Sequence, residues 1–373
     1  MKKIRVLQTS KLYAPYIGGV EQVVQDIAEG LAARTDMTVL VCRDKGGRAD
    51  ERYNGVRVAR CASLGIKFSM PISLSYISEF RRFAKDADIV HLHVPFPLGD
   101  LAVFLSGYKG KLAVWWHSDI IRQKKLLVLL TPLIHRVLAR ADVIFASSEN
   151  LIKYSAFLPK FSEKCVVVPF GVDLAEYDKI SNGDFLTKRL YNKDSKKALF
   201  VGRLVYYKGA EVLVRAFAGT FGAELFIVGG GELENELKDI AAENGDKFHF
   251  LGHLPYEDLQ MAYKDCDFFV FPSVADSEAF GLVQMSAMSC GKPVINTELR
   301  TGVPFVSVGG VTGITVAPYD TNALRDAVQT LTDDDDLRQT YGKNARERVE
   351  KMFTKTKMLD DIFEKYCELG GRE

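Results

Sequence analysis

Two cations, Arg203 and Lys208, flank the stretch LVYY just past an apolar run that reads as a strand. Arginine grips phosphate oxygens through a planar fork, and lysine supplies a compact point charge. Two cations between a strand end and the next helix therefore suit a diphosphate, although a solvated surface would also hold them. Ser273–Leu282, SVADSEAFGL, follows the apolar FFVFP and precedes an amphipathic run. This loop puts Ser277, Phe280, Gly281 and Leu282 at a helix start, where unpaired backbone N–H groups favour anions. Glu278 lies in the same loop and would repel a phosphate. Its task is then to bond sugar hydroxyls or to stabilise a cationic transition state.

Gly18-Gly19 stands directly before an apolar run at helical spacing. Glycines there let a backbone approach a ligand at a helix N-terminus; a plain tight turn reads the same way. His117, in WWHSD, ends a strand and is placed for polar contacts. A purely structural histidine fits the position too. His91 and His93 lie two apart on a strand and so share a face, as a metal pair would, but no third ligand is convincingly spaced. The cysteines, Cys42, Cys61, Cys165, Cys266, Cys290 and Cys367, are scattered without a C-x-x-C pair. That suggests neither a disulfide framework nor a thiolate metal site, and a reduced cytosol is the natural setting. Gly229-Gly230-Gly231 is followed by Glu232, Leu233 and Glu234, which is not the G-x-G-x-x-G of a dinucleotide fingerprint.

Alternating short strands and helices must position these residues. Ile4–Thr9, Met37–Cys42, Ile89–Val94, Leu112–Trp116 and Val143–Ala146 read as strands of the first half. Ala198–Gly202, Leu225–Val228, Phe248–Leu251, Phe268–Phe271, Pro293–Asn296 and Ile314–Val316 continue the series, with helices over Ala210–Phe217 and Leu233–Ala242. Such alternation implies parallel sheets with right-handed crossovers. DADIVHLH, RADVIFAS and DCDFFVFP repeat one pattern, an Asp just before a β-rich run. Polar and turn formers concentrate over 171–197. The expected architecture is α/β, two doubly wound, Rossmann-like domains over 1–175 and 176–352, facing a cleft where the strand ends meet. A last helix over 353–373, with Met358, Ile362 and Phe363 at helical spacing, would pack back on the first domain. The Asp333–Asp336 run reads as a solvated loop or a helix start.

With 373 residues, the length suits two or three domains. The composition, 47% hydrophobic and 26% charged, excludes a disordered or fibrous chain. A net charge of +1 gives no case for a nucleic-acid partner. That charge hides an asymmetry. Residues 1–172 carry 25 Lys+Arg against 15 Asp+Glu, and 173–373 carry 24 against 33. No run of about 18 apolar residues would span a bilayer, and the N-terminus reads as a strand rather than an export signal.

Taken together and in order, KLYAPYIGGVEQVVQDIAEGLA, WWHSDIIRQK, VPFGVD, VGRLVYYKG, VGGGELENEL, FLGHLPYEDL, DFFVFPSVADSEAFGLVQ and CGKPVIN resemble the retaining glycosyltransferases of family 4, the group 1 glycosyltransferases of GT-B fold. The resemblance covers nearly the whole chain and is nearest to bacterial mannosyltransferase-type members of polysaccharide assembly. It implies transfer of a hexose, mannose-like, from a nucleotide-diphosphate sugar such as a GDP-sugar or UDP-sugar to a saccharide or lipid-linked acceptor. It implies no cofactor and no metal, protein cations taking the diphosphate charge. By motif, Arg203 and Lys208 would hold the diphosphate, Glu278 the donor sugar, and His117 a sugar hydroxyl near the reacting carbon. Gly18 and Gly19 would approach the diphosphate or acceptor. Gly252, His253 and Leu254 would lie near the base, and Ser277, Phe280, Gly281 and Leu282 at donor oxygens.

One position departs from that pattern. The family's second acidic residue, eight positions after Glu278, is Ser286 here. In the family it holds the ribose hydroxyls. A serine still hydrogen-bonds but is shorter and uncharged, and losing a charge-assisted bond costs about 1.5–3 kcal/mol. Weakened ribose recognition is one reading of Ser286; a non-catalytic sugar-nucleotide-binding or partner subunit is the other.

Between Asp119 and Asp142 no acidic residue occurs, while Arg122, Lys124, Lys125, Arg136 and Arg140 stand among Leu, Ile and Val. A basic amphipathic segment on a basic domain suits an anionic membrane surface, which places the protein in the cytoplasm at the inner face of the membrane. A crossover helix buried against the sheet accounts for the same residues.

Overall fold

A computed structural model describes residues 3–371 apart from 17, 68–69, 121–123 and 182, with backbone alone for 124–126. The chain forms two compact units, Met1–Phe170 with Lys355–Glu373, and Gly171–Thr354.

In the first unit the strands are β1 (Ile4–Thr9), β2 (Thr35–Cys42), β3 (Ala49–Tyr53), β4 (Val56–Cys61), β5 (Ile66–Lys67), β6 (Met70–Pro71), β7 (Ile89–Val94), β8 (Lys111–Trp116), β9 (Val143–Ala146) and β10 (Cys165–Val167). The helices are α1 (Gly19–Leu31), α2 (Tyr76–Ala84), α3 (Pro97–Ser106), α4 (Lys124–Arg140) and α5 (Glu149–Tyr154). The main sheet runs β10-β9-β8-β7-β1-β2-β4-β3 and is parallel except for β3. Strand direction of growth reverses between β1 and β7, the kind of switch point at which open α/β sheets bind ligands.

Successive strand residues point to opposite faces. Leu7, Val90, Leu92, Val114 and Trp116 join Phe80, Val103 and Leu138 in one core. On the other face, α1 buries Val23, Val24, Ile27, Ala28 and Leu31, a 3.6-residue stripe. The C-terminal helix Lys355–Leu369 packs onto this unit through Met358, Ile362 and Tyr366, each one turn from the next. Each Val, Leu, Ile or Met among these contributes about 1.5–3 kcal/mol of burial.

The Asp repeats have a structural task. Asp88, Asp142 and Asp267 each accept a hydrogen bond from the backbone of the neighbouring strand's first residues, at Arg5, Leu112 and Lys197, 2.7–3.0 Å away. Each Asp N–H in turn donates to the carbonyl of that same residue. A cation completes each pair: Arg5, Lys111 and Lys197. The carboxylate thus locks the register of two parallel strands at their N-terminal ends, the edge opposite the site.

The second unit holds β11 (Lys196–Val201), β12 (Ala223–Val228), β13 (Phe248–Gly252), β14 (Phe268–Phe271), β15 (Val294–Thr297) and β16 (Gly313–Val316). Its helices are α6 (Leu174–Asp178), α7 (Ala210–Ala218), α8 (Glu234–Ala242), α9 (Tyr256–Asp265), α10 (Leu282–Ser289), α11 (Val303–Val306), α12 (Thr321–Asp333) and α13 (Asp335–Met352). The sheet runs β13-β12-β11-β14-β15-β16, all parallel, which is the 3-2-1-4-5-6 order of dinucleotide-binding folds. Its switch point lies between β11 and β14. The acidic run divides two helices: Asp333 ends α12, and the Asp334 carboxylate caps α13 by accepting from Leu337 N–H at 2.8 Å.

Candidate active site

In the second unit, the loops after β11 and β14 meet at the switch point. Gly209 opens α7 at φ +68°, and a Cβ there would overlap the Pro272 carbonyl. Val274 N–H donates to Tyr207 O at 2.8 Å, tying the loops together. Across this junction Lys208 Nζ lies 2.5 Å from Glu278 Oε2, with the side chains 13% and 12% exposed. Two residues 70 apart in sequence, expected on a diphosphate and on a sugar, form one nearly buried ion pair. An ammonium has three donors, so Lys208 can hold Glu278 and a phosphate oxygen together. Ser273 Oγ also donates to Glu278, at 3.4 Å. Lys208 Nζ sits 5.1 Å from the Phe271 ring centroid, within cation–π range.

Arg203 is exposed and donates to the Tyr207 hydroxyl at 2.8 Å. The glycine triplet explains how its loop is placed. Side chains at Gly229 and Gly231 would overlap the carbonyls of Gly202 and Leu204. The triplet therefore lets the loop after β12 pass against the loop that carries Arg203. Gly252, at φ +63°, accepts from Gly229 N–H at 2.7 Å, which brings the exposed His253 and half-buried Leu254 beside the triplet.

Gly281 begins α10 at φ +80°, and a Cβ would press 2.6 Å from the Phe271 ring, so only glycine fits. No side chain among the described residues caps α10, so the Leu282 and Val283 N–H groups face outside acceptors, while Gln284 N–H already donates to Gly281 O at 2.9 Å. The Ser277 hydroxyl is buried without a hydrogen-bond partner among the described residues. The Phe280 ring is core, packed near Phe305 and Phe353. Ser286, one turn into α10, accepts a 2.8 Å bond from the Tyr177 hydroxyl of α6. Burial pushes Tyr177 up to about 12, so it stays a donor.

In the first unit, Gly18 precedes α1 with extended backbone at φ −170°, and the Glu21 carboxylate fills the space its side chain would take. Gly19 is the first helical residue. A negative charge thus already lies at this helix start. Lys11, just past β1, is half-buried, and desolvation lowers its pKa against the pull of Glu21 and Asp100. Asp100 in α3 is 4% exposed with Oδ1 unpartnered among the described residues. Burial raises its carboxyl to about 7, and Lys11 opposes this. Neither residue was anticipated. Lys11 carries no motif of its own in the sequence, and Asp100 stands in a helix with no motif around it.

His117 is 5% exposed and follows β8. Its ring lies within 6 Å of those of His93, Trp115 and Phe170, nearly parallel to each. Its Nε2 is 2.8 Å from His93 Nδ1. Burial drives its pKa down to about 3, so it is a neutral hydrogen-bonding group rather than a cation. His91 and His93 stack at 4.5 Å. Their ring nitrogens meet Tyr366, Gln8 and His117. Among the described residues no group of three or more His, Cys, Asp or Glu is placed to hold a metal ion.

Residues 184–348 match the family model of glycosyl transferases group 1, and residues 17–176 that of glycosyltransferase family 4. The O-antigen chain mannosyltransferase C of Escherichia coli is 34% identical over 98% of this chain and 99% of its own. The D-rhamnosyltransferase WbpZ of Pseudomonas aeruginosa is 36% identical over 94% and 92%. Among solved structures, sucrose-phosphate synthase of Thermosynechococcus elongatus superposes with a TM-score of 0.80 at 22% identity, covering 99% of this chain and 100% of its own. Anabaena Alr3699/HepE in complex with UDP and glucose superposes at 0.76 and 22%, covering 97% and 99%. These likenesses show the fold, GT-B.

Proposed function

The chain belongs to the group 1 glycosyltransferases of family 4, and we propose that it moves a mannose-like hexose from a nucleotide-diphosphate sugar to a saccharide or lipid-linked acceptor, with retention and without a metal. The observation that carries this reading is the Lys208–Glu278 pair at the switch point of the second unit. A cation there meets the departing diphosphate, and a carboxylate there meets the sugar as it gains positive charge. The two relatives bear on the sugar. Mannose and D-rhamnose differ only at C6, so one pocket shape suits both.

No metal is needed where Arg203 and Lys208 take the diphosphate charge. The first-turn N–H groups of α10 and the Ser277 hydroxyl would add neutral donors to the oxygens. His117, held neutral, would bond a sugar hydroxyl. Gly252 and Leu254 would border the base, and Gly18 and Gly19 the diphosphate or the acceptor.

Ser286 is the observation that favours a second reading, a sugar-nucleotide-binding subunit without turnover. Turnover by the purified protein would exclude it, and thermal stabilisation by GDP, UDP and their sugars in EDTA tests the donor binding that both readings share. Ligand at 100 times its Kd adds about 2.7 kcal/mol to the native state. One nucleotide class should stabilise the protein, and Ser286→Glu, restoring a carboxylate for the ribose, should tighten binding about 10-fold to 100-fold. No response from either protein would remove the donor-binding reading.

A peripheral association with anionic membrane belongs to the same proposal. No helix among the described residues is long and apolar enough to cross a membrane. Yet α4 leaves Val128 and Leu129 each 76% exposed, while Ile134, Val137 and Leu138 enter the core. On neighbouring α3, Phe104 is exposed with Arg136 of α4 5.5 Å from its ring. Arg122 lies outside the described residues, as do the side chains of Lys124 and Lys125. Sedimentation with phosphatidylglycerol vesicles should capture the protein at low salt and release it at high salt. Failure to sediment at low salt ends the membrane reading.

A further inference from the structure

Gln8, His93 and His117 form a hydrogen-bonded chain across β1, β7 and β8, and its protons can be assigned atom by atom. Gln8 Nε2 lies 3.2 Å from the Val24 carbonyl and 2.8 Å from His93 Nε2. A carbonyl only accepts, so the amide atom facing Val24 is the nitrogen, and that orients the group. An amide nitrogen only donates, so His93 Nε2 is the bare, accepting atom. Burial keeps the His93 ring neutral, with one proton. That proton therefore sits on Nδ1 and is donated to His117 Nε2 at 2.8 Å. His117 is neutral as well, and with Nε2 accepting, its own proton sits on Nδ1. Nothing else among the described residues bonds His117 Nδ1.

The reverse direction is closed. It would turn the Gln8 carbonyl oxygen toward the Val24 carbonyl, two acceptors face to face. Nearly parallel rings surround the pair. Trp115 lies 5.9 Å from both His93 and His117 between ring centroids, and Phe170 lies 5.9 Å from His117.

We propose that Gln8 and His93 are positioning residues that hold His117 as the Nδ1–H tautomer, so that His117 donates a hydrogen bond to an oxygen of the donor sugar and never accepts one. The proposal rests on the role proposed above for His117, bonding the donor sugar. It assigns a task to a glutamine and a histidine buried behind His117, and it says which kind of ligand atom His117 would select: an acceptor.

Long-range ¹H–¹⁵N NMR of the full chain, labelled on histidine, reads the tautomers directly. His93 and His117 should each show a protonated Nδ1 and a bare Nε2 at pH 7.5. An Nε2–H form of His117 would overturn the proposal. Gln8→Glu replaces the donor with an acceptor, which draws the His93 proton to Nε2 and so the His117 proton to Nε2. The expected result is a reversed His117 signal with kcat/KM lowered about 10-fold to 100-fold, in a protein that keeps its native tryptophan fluorescence but melts at a lower temperature, because an oxygen now faces the Val24 carbonyl. His93→Gln, which can still donate to His117 Nε2, should restore the Nδ1–H signal where His93→Met does not. If Gln8→Glu reverses the tautomer and leaves kcat and KM unchanged, donation to substrate is refuted. The wild-type spectrum is read without turnover, so it stands apart from the fate of the transferase reading.

Discussion

Lys208→Met should lower kcat by about 10²-fold to 10³-fold, the usual loss when one preorganised charge is removed from a developing anion. It should also destabilise the second unit. Methionine keeps the length of the side chain but leaves Glu278 charged, nearly buried and unpaired. Breaking such a pair costs about 3–5 kcal/mol, which lowers the Tm of a unit this size by about 10 °C. Glu278→Gln on the same background removes the orphan charge. The double variant should therefore recover most of the stability and none of the activity. Calorimetry and initial rates on the two proteins separate these effects. An active double variant would show that the pair is only structural.

The second large effect is acid instability of the first unit. Burial pushes His91 and His117 down to about 3, and His93 well below its ordinary range. An unfolded histidine takes its proton near pH 6.5. Between there and about 3 the unfolded chain binds more protons than the folded one, so stability falls as pH falls. Each histidine costs about 1.4 kcal/mol per pH unit in this window. Asp100 acts the other way. Its folded carboxyl, raised to about 7, holds a proton that the unfolded chain releases above its ordinary 3.8. The net loss is then on the order of 3 kcal/mol per pH unit between pH 6.5 and 4. Both tryptophans, Trp115 and Trp116, belong to this unit, so their fluorescence in urea titrations at pH 7, 6 and 5 reads it alone. A midpoint that does not move would show that these histidines are protonated in the folded state.

Much of the fold is legible because buried parallel strands are continuous apolar runs bounded by polar residues. Ile4–Thr9, Ile89–Val94, Val143–Ala146 and Phe268–Phe271 carry the same ends in sequence and structure. The β3–β4 hairpin escaped notice. Ala49–Tyr53 is an edge strand with charged, exposed residues and no apolar pattern. Its turn did carry a signal: Asn54-Gly55, both at positive φ, is the pair that closes tight hairpins. Cys165–Val167 is too short to announce itself.

The site was legible by residue type and less so by partner. That Lys208 and Glu278 would matter follows from their place in the motifs. That they neutralise each other depends on two loops meeting at a switch point. Ser286 was visible as a departure, but its bond to Tyr177, 109 residues away, was not. His91 and His93 share a face, as a metal pair would, although no third ligand is convincingly spaced in the sequence. Only their ring partners, Tyr366, Gln8 and His117, reveal a hydrogen-bonded stack. The glycine triplet read as a failed fingerprint, and its use became clear from the carbonyls packed against it.

The most direct test of glycosyl transfer is the anomeric configuration of a product made by purified protein in EDTA. Donors would be α-linked GDP-mannose and UDP-glucose, with octyl α-mannoside as the acceptor probe, followed by ¹H NMR. The expected result is an α-linked disaccharide and one nucleoside diphosphate released per linkage. A β-linked product, release that begins only on adding Mg²⁺ or Mn²⁺, or no release from either donor would contradict it.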